Sequence, residues 1–110
     1  MSETAGIWSE IDLAGHRCHV FEPAAPSPHG YVVIYLHCNL SASLRDYPAF
    51  TEQFERHGLR VIAPITGQSW WTDRIWPEFD PHISAEAYVL QRVVPYVTEH
   101  WNARPPQLGL

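Results

Sequence analysis

YVVIYLHCNL, residues 31–40, is the stretch on which the reading of the fold turns. Tyr31, Val32, Val33, Ile34, Tyr35 and Leu36 are β-branched, aromatic or aliphatic with no polar alternation, and His37, Cys38 and Asn39 end the run abruptly. A short apolar run of this kind predicts a strand buried on both faces, as in the centre of an α/β sheet. The polar step falls at its C-terminal end, where open α/β sheets place their ligand crevices. Taken alone, the stretch establishes a buried strand with room for chemistry at its tip.

On the N-terminal side, residues 7–13 alternate, with Ile7, Ser9, Ile11 and Leu13 against Trp8, Glu10 and Asp12. After the turn at Ala14-Gly15, residues 16–21 alternate again, with Cys18 and Val20 opposite His19 and Phe21. The two segments predict an antiparallel hairpin at a sheet edge, where half-exposed strands belong. Pro23, Pro26 and Pro28 then impose an extended surface linker, and His29-Gly30 opens the central strand.

On the C-terminal side, residues 41–47 read as a polar loop. Pro48 suits the first position of a helix, Phe50 and Phe54 lie one turn apart on its expected buried face, and Gly58 ends it. Residues 59–65 (LRVIAPI) form a second buried strand, so two parallel strands and a helix make a right-handed βαβ unit. Residues 66–83 lack periodicity and carry Trp70, Trp71, Trp76 and Phe79, so they are a long loop of the kind that is usually functional. Ser84 is the expected N-cap of the next helix, with Glu86 in its first turn. Val89, Val93, Val97 and Trp101 recur every four residues, and Pro95 inside them predicts a local kink. Residues 102–106 stop this helix, and Gln107-Leu108-Gly109-Leu110 reads as the first part of a third parallel strand.

The bulk composition bounds the class. A chain of 110 residues is about one modest domain, and 45% hydrophobic with 17% charged residues marks it as globular. A formal charge of −5 with seven scattered Lys and Arg argues against a nucleic-acid surface. No apolar run approaches the roughly 18–20 residues of a membrane span, and residues 1–13 have no basic n-region of a signal peptide. Cys18 and Cys38 lie apart with no CxxC partner, so free buried thiols in a reducing cytoplasm are the plain reading, with a disulfide as the open but unneeded alternative.

Strand, crossover, strand, aromatic loop, proline-containing helix and incipient strand follow in an order that resembles the N-terminal part of an α/β-hydrolase. The likeness is to the putative-esterase branch, similar to S-formylglutathione hydrolase and feruloyl esterases. It is carried by Leu36-His37, by SWWTDRIWPEFD (residues 69–80), by VLQRVVPYV (residues 89–97) and by the final QLGL. It spans roughly residues 17–110 and implies a three-layer α/β/α sandwich, of which residues 1–110 form a single partial domain. It also implies hydrolysis of carboxylic esters or thioesters without metal or prosthetic group. The family's usual glycine after the histidine is here Cys38. Its G-x-S-x-G nucleophile elbow is absent, since none of Ser2, Ser9, Ser27, Ser41, Ser43, Ser69 and Ser84 has flanking glycines.

The resemblance implies that the main-chain N–H of Asn39, or of Leu40 in a shifted loop, is an oxyanion donor, with His37 and Cys38 supporting the loop. The bland alternative is an ordinary strand exit with locally bonded N–H groups. A His37–Cys38 base–thiol pair is disfavoured because neighbouring strand residues point to opposite faces, which leaves His37 as a structural residue and Cys38 as an inert one. Trp70, Trp71, Trp76 and Phe79 suit the walls of an acyl or alcohol pocket, and equally the packing of the loop against the body. Asp73, Glu78 and Asp80 invite a glycosidase reading, but Asp73 with Arg74 and Glu78 near the loop end read first as a solvated rim or an ion-paired loop brace, and the seven histidines form no HExxH-like ligand set. The two functions to weigh are therefore a serine esterase whose nucleophile lies on a continuation or second chain, and a non-catalytic binding or assembly module. The expected partners are a small ester substrate and a second chain or copy, with no nucleic acid and no membrane.

Overall fold

The computed structural model describes residues 6–37, 44–67, 70–104 and 106–109. Five strands form one mixed sheet in the order β1-β2-β4-β3-β5. β1 (Ile7–Leu13) and β2 (His16–Glu22) are the expected antiparallel hairpin, in register from Ile7↔Glu22 to Leu13↔His16. Ala14 and Gly15 close it with positive φ at both positions (52° and 87°), which a two-residue type I′ turn requires. Asp12 Oδ1 accepts the Gly15 N–H at 2.9 Å. β1 is the outer strand, and β2 pairs antiparallel with β4 (Arg60–Pro64).

β3 (Val32–Ile34) lies between two parallel neighbours, β4 and β5 (Leu108–Gly109). The ladder is shorter than the apolar run. Tyr31, expected to be buried, is 45% exposed, because the N–H of Val32 is the first to reach across to Gln107 O, at 2.9 Å. Beyond the strand, the Tyr35 N–H still donates to Ile62 O at 2.9 Å.

Side chains alternate across this sheet into two apolar clusters. Phe21, Val61 and Leu44 meet Phe54 of α1 (Pro48–Arg56) in one of them, with Trp8 and Val33 alongside. Cys18, Val20, Val32, Ile34 and Ile62 meet Tyr88, Val93 and Val97 in the other. Those last three come from α2 (Ala85–Tyr88), a π-helical turn (Val89–Val93) and α3 (Val94–Trp101). Each fully buried Val, Ile or Phe contributes about 1.5–3 kcal/mol against exposure, so the strand pair β3–β4 anchors both clusters.

One helix expectation is corrected. Phe50 is 51% exposed, and its ring meets Tyr47 and Phe54 of its own segment instead of a strand. At Pro95, where the sequence predicts a local kink, the helix has a π turn just ahead of the proline: the N–H of Val94 bonds back five residues to Val89 O. Proline cannot donate to the carbonyl four residues before it, and the ladder takes up an extra residue just ahead of it.

The caps follow the sequence. Ser84 Oγ accepts the Ala87 N–H at 3.1 Å, and Asn102 ends α3 in the left-handed region. Gly58 (φ 63°) ends α1 where a Cβ would strike the backbone of Ala25 and Ser27. The proline-rich linker therefore lies directly on the end of α1, with the Ser27 N–H donating to Gly58 O at 2.8 Å. No helix among the described residues is long and apolar enough to cross a membrane.

Candidate functional site

The C-terminal ends of β3 and β4 leave the sheet side by side, and His37 joins them. Its buried ring sits just past β3, and its Nε2 accepts the N–H of Thr66, just past β4, at 3.0 Å. That nitrogen is thus an occupied acceptor, which removes it from service as a general base. His37 thus ties the end of β3 to the end of β4. Cys38, Asn39 and Leu40, where the oxyanion donors are expected, lie outside the described residues.

Trp71 closes the arrangement from the aromatic loop. Its indole N–H donates to His37 O at 2.9 Å, and its ring meets the His37 ring edge-on with centroids 5.1 Å apart. Both Trp70 and Trp71 hold positive φ (59° and 56°), a region that costs a large side chain about 1–3 kcal/mol and persists only where surroundings enforce it. The tight backbone there turns Trp71 inward, while Trp70 is left 65% exposed. A groove of about 320 Å³ opens beside them, lined by Leu36, Trp71, Glu86, Val89 and Leu90.

Trp76 and Phe79 serve the other end of the loop. Trp76 bridges to Asp80 and carries the Arg74 guanidinium over its ring at 5.6 Å. Phe79 stacks on His16 at 4.2 Å and meets Tyr88 edge-on. Of the three tryptophans named as pocket walls, Trp71 alone lines the groove at the tip of β3.

Two of the three loop carboxylates, Asp73 and Asp80, are engaged as braces. Asp73 Oδ1 accepts the Ser84 hydroxyl at 2.8 Å, so the loop is tied to the cap of α2. Asp80 Oδ2 lies 2.7 Å from His16 Nε2, and Asp80 Oδ1 accepts the His82 N–H at 2.7 Å. The hydrogen bond from His16 is the main cause that holds the Asp80 carboxyl below its ordinary range, and it makes Asp80 a poor general acid. A wider cleft of about 430 Å³ runs past Asp73, Asp80, His82 and Arg92, with both of its carboxylates so committed. Among the described residues, no three His, Cys, Asp or Glu side chains are grouped to hold a metal.

The buried thiol is equally quiet. Cys18 Sγ lies 3.5 Å from the Tyr88 hydroxyl, which donates to Leu13 O at 2.8 Å. Burial pushes the Cys18 thiol up to about 11. Sequence reasoning missed Thr66, Glu86 and the Leu36–Leu90 groove. The signal available for the groove was Leu90, an apolar residue one step out of the Val89–Val93–Val97 register.

Compared with known proteins, the chain shares its fold with the S-formylglutathione hydrolase from Agrobacterium tumefaciens, at a TM-score of 0.65 and 16% identity. The match covers 98% of this chain and 49% of that one, so the chain spans about half the length of its structural neighbour. No family model and no curated protein matches the sequence.

Proposed function

We propose that this chain is the front part of an α/β-hydrolase sandwich that hydrolyses carboxylic esters or thioesters in the cytoplasm, through a serine carried on sequence beyond these 110 residues or on a second chain. The observation that carries the reading is the strand exit at His37. It is held by Thr66 from one side and by Trp71 from the other, within a fold shared with an S-formylglutathione hydrolase. That bracing fixes the backbone entering the loop, and the N–H of Asn39 or Leu40 then serves as one oxyanion donor.

The chemistry is acyl transfer. The serine Oγ attacks the ester carbon as its proton passes to a histidine, and the carbonyl electron pair moves onto an oxyanion held by main-chain N–H groups. Collapse expels the alcohol or thiol with that proton, and water then releases the acid from the seryl ester. Loss of one oxyanion donor typically costs about 3–4 kcal/mol of transition-state stabilisation.

A second reading, a non-catalytic binding or assembly module, is favoured by one observation: none of the seven serines here sits between glycines. Fluorophosphonate labelling of the purified protein, read by intact mass, decides between them. A labelled species heavier than the 12.6 kDa chain plus adduct upholds the esterase. A 12.6 kDa protein that takes no label leaves the module.

A further inference from the structure

The groove at the tip of β3 is apolar on its walls and charged on its rim. Leu36, Trp71, Val89 and Leu90 form the walls, and Glu86 is the ionisable group that lines it. An apolar cavity of about 150 Å³ already takes up benzene. At about 320 Å³, this groove holds a ring or a chain of several carbons, and a one-carbon group leaves most of it unfilled.

Position ties it to the candidate chemistry. Leu36 directly precedes His37, and the indole that walls the groove is the one that holds His37 O. An acyl chain lying there has its carbonyl end toward the exit of β3 at His37. The fourth wall comes from the π turn, a form found often at functional sites, which leaves Leu90 60% exposed beside the buried Val89.

Glu86 gives the groove a sign. Its backbone N–H bonds to Thr72 O at 3.2 Å, and its carboxylate has no hydrogen bond or ion pair among the described residues. An un-neutralised carboxylate repels a second one about 6 Å away enough to weaken binding about three-fold, even in water.

We propose that this groove is the acyl subsite of the esterase reading, on which the assignment rests. It takes a neutral, apolar acyl group of about six carbons or one ring, and Glu86 turns away acyl groups that end in an anion.

The test is nitrogen–proton spectroscopy of the 110-residue chain titrated at pH 7 with hexanamide and with adipamate, which has the same amide at its carbonyl end and a carboxylate at the far end, read at the Trp71 indole N–H. Hexanamide is expected to shift that signal saturably while the Trp8 and Trp101 indoles stay in place. Adipamate binds about three-fold more weakly, and Glu86→Gln removes the difference. Leu90→Ser weakens hexanamide several-fold and keeps the folded spectrum, because Leu90 lies largely outside the core.

No saturable shift, equal movement of all indoles, or equal affinity for the two probes overturns the proposal. So does a dimer by light scattering whose Trp71 signal moves with protein concentration, since a second copy then fills the groove. Fluorophosphonate labelling separates the two levels. Label without hexanamide binding removes the subsite and keeps the esterase. Hexanamide binding without label removes the esterase and, with it, the acyl role.

Discussion

Thr66 and Trp71 approach His37 from two segments, and the three residues show how one imidazole organises the end of a buried strand. The Thr66 N–H is buried with its residue, and His37 Nε2 is its acceptor. His37→Ala takes that acceptor away and lowers stability by about 1–3 kcal/mol, the usual cost of depriving a buried amide. Urea denaturation with tryptophan fluorescence measures it; a loss within error of zero contradicts the bracing role. His19 makes an opposite kind of statement. Burial chiefly, and Arg45 next, lower its pKa below the ordinary 6.5, against the pull of Glu10 3.2 Å away. A base with a lowered folded pKa is protonated first in the unfolded chain, so stability is full above about 6.5 and falls as the pH drops through that value. Thermal melts between pH 7.5 and pH 5.5 are expected to show the decline, and His19→Asn is expected to flatten it.

At the scale of elements, the clip between the aromatic loop and the hairpin is His16–Asp80, with Phe79 stacked on the same imidazole. The Asp80 carboxyl sits below its ordinary 3.8, so its contribution is present above that value and is lost as the pH falls through the lowered one. Asp80→Asn is therefore expected to lose the steep stability decline below pH 4 and to match the parent's slope above pH 5. Equal slopes below pH 4 count against the clip. These elements also show what a sequence can and cannot announce. Alternation about Ala14-Gly15 was enough to place the hairpin and Ser84 to place the start of α2, while the unbroken run at 31–36 located a strand between two parallel neighbours although β4, not β3, is the middle strand of the sheet. Phe50 was misplaced because periodicity names a helix face without saying how far the sheet extends beneath it. The π turn was not legible, since proline tells where a bond is missing and the surrounding packing decides how the ladder heals. Within the loop at 66–83, the aromatics have no period, so which of them turned to His37 depended on two left-handed residues that no spacing rule encodes.

Across the whole molecule, the question is whether two clusters on opposite faces of one sheet behave as one unit. The radius of gyration is 14.1 Å with a long axis of 49 Å, against about 13 Å expected for a compact chain of this length. The shape is thus elongated, and the clusters share only the sheet between them. Val32 and Ile34 feed one cluster and Val33 the other, while Ile62 and Val61 divide in the same way. Losing either cluster therefore removes half the burial of β3 and β4, and neither strand keeps enough apolar area to stay paired alone. One transition follows. Val97→Ala, at a fully buried site under α3, is expected to cost about 2–3 kcal/mol, and Phe54→Ala, under α1, about 3–5 kcal/mol. Each kcal/mol lowers the midpoint by about 4–8 °C in a domain of this size. Both variants are expected to move far-ultraviolet dichroism and tryptophan fluorescence together. A Phe54→Ala variant that shifts only one of the two signals means that the faces melt separately, and that the sheet is a junction between two weak units instead of the spine of one.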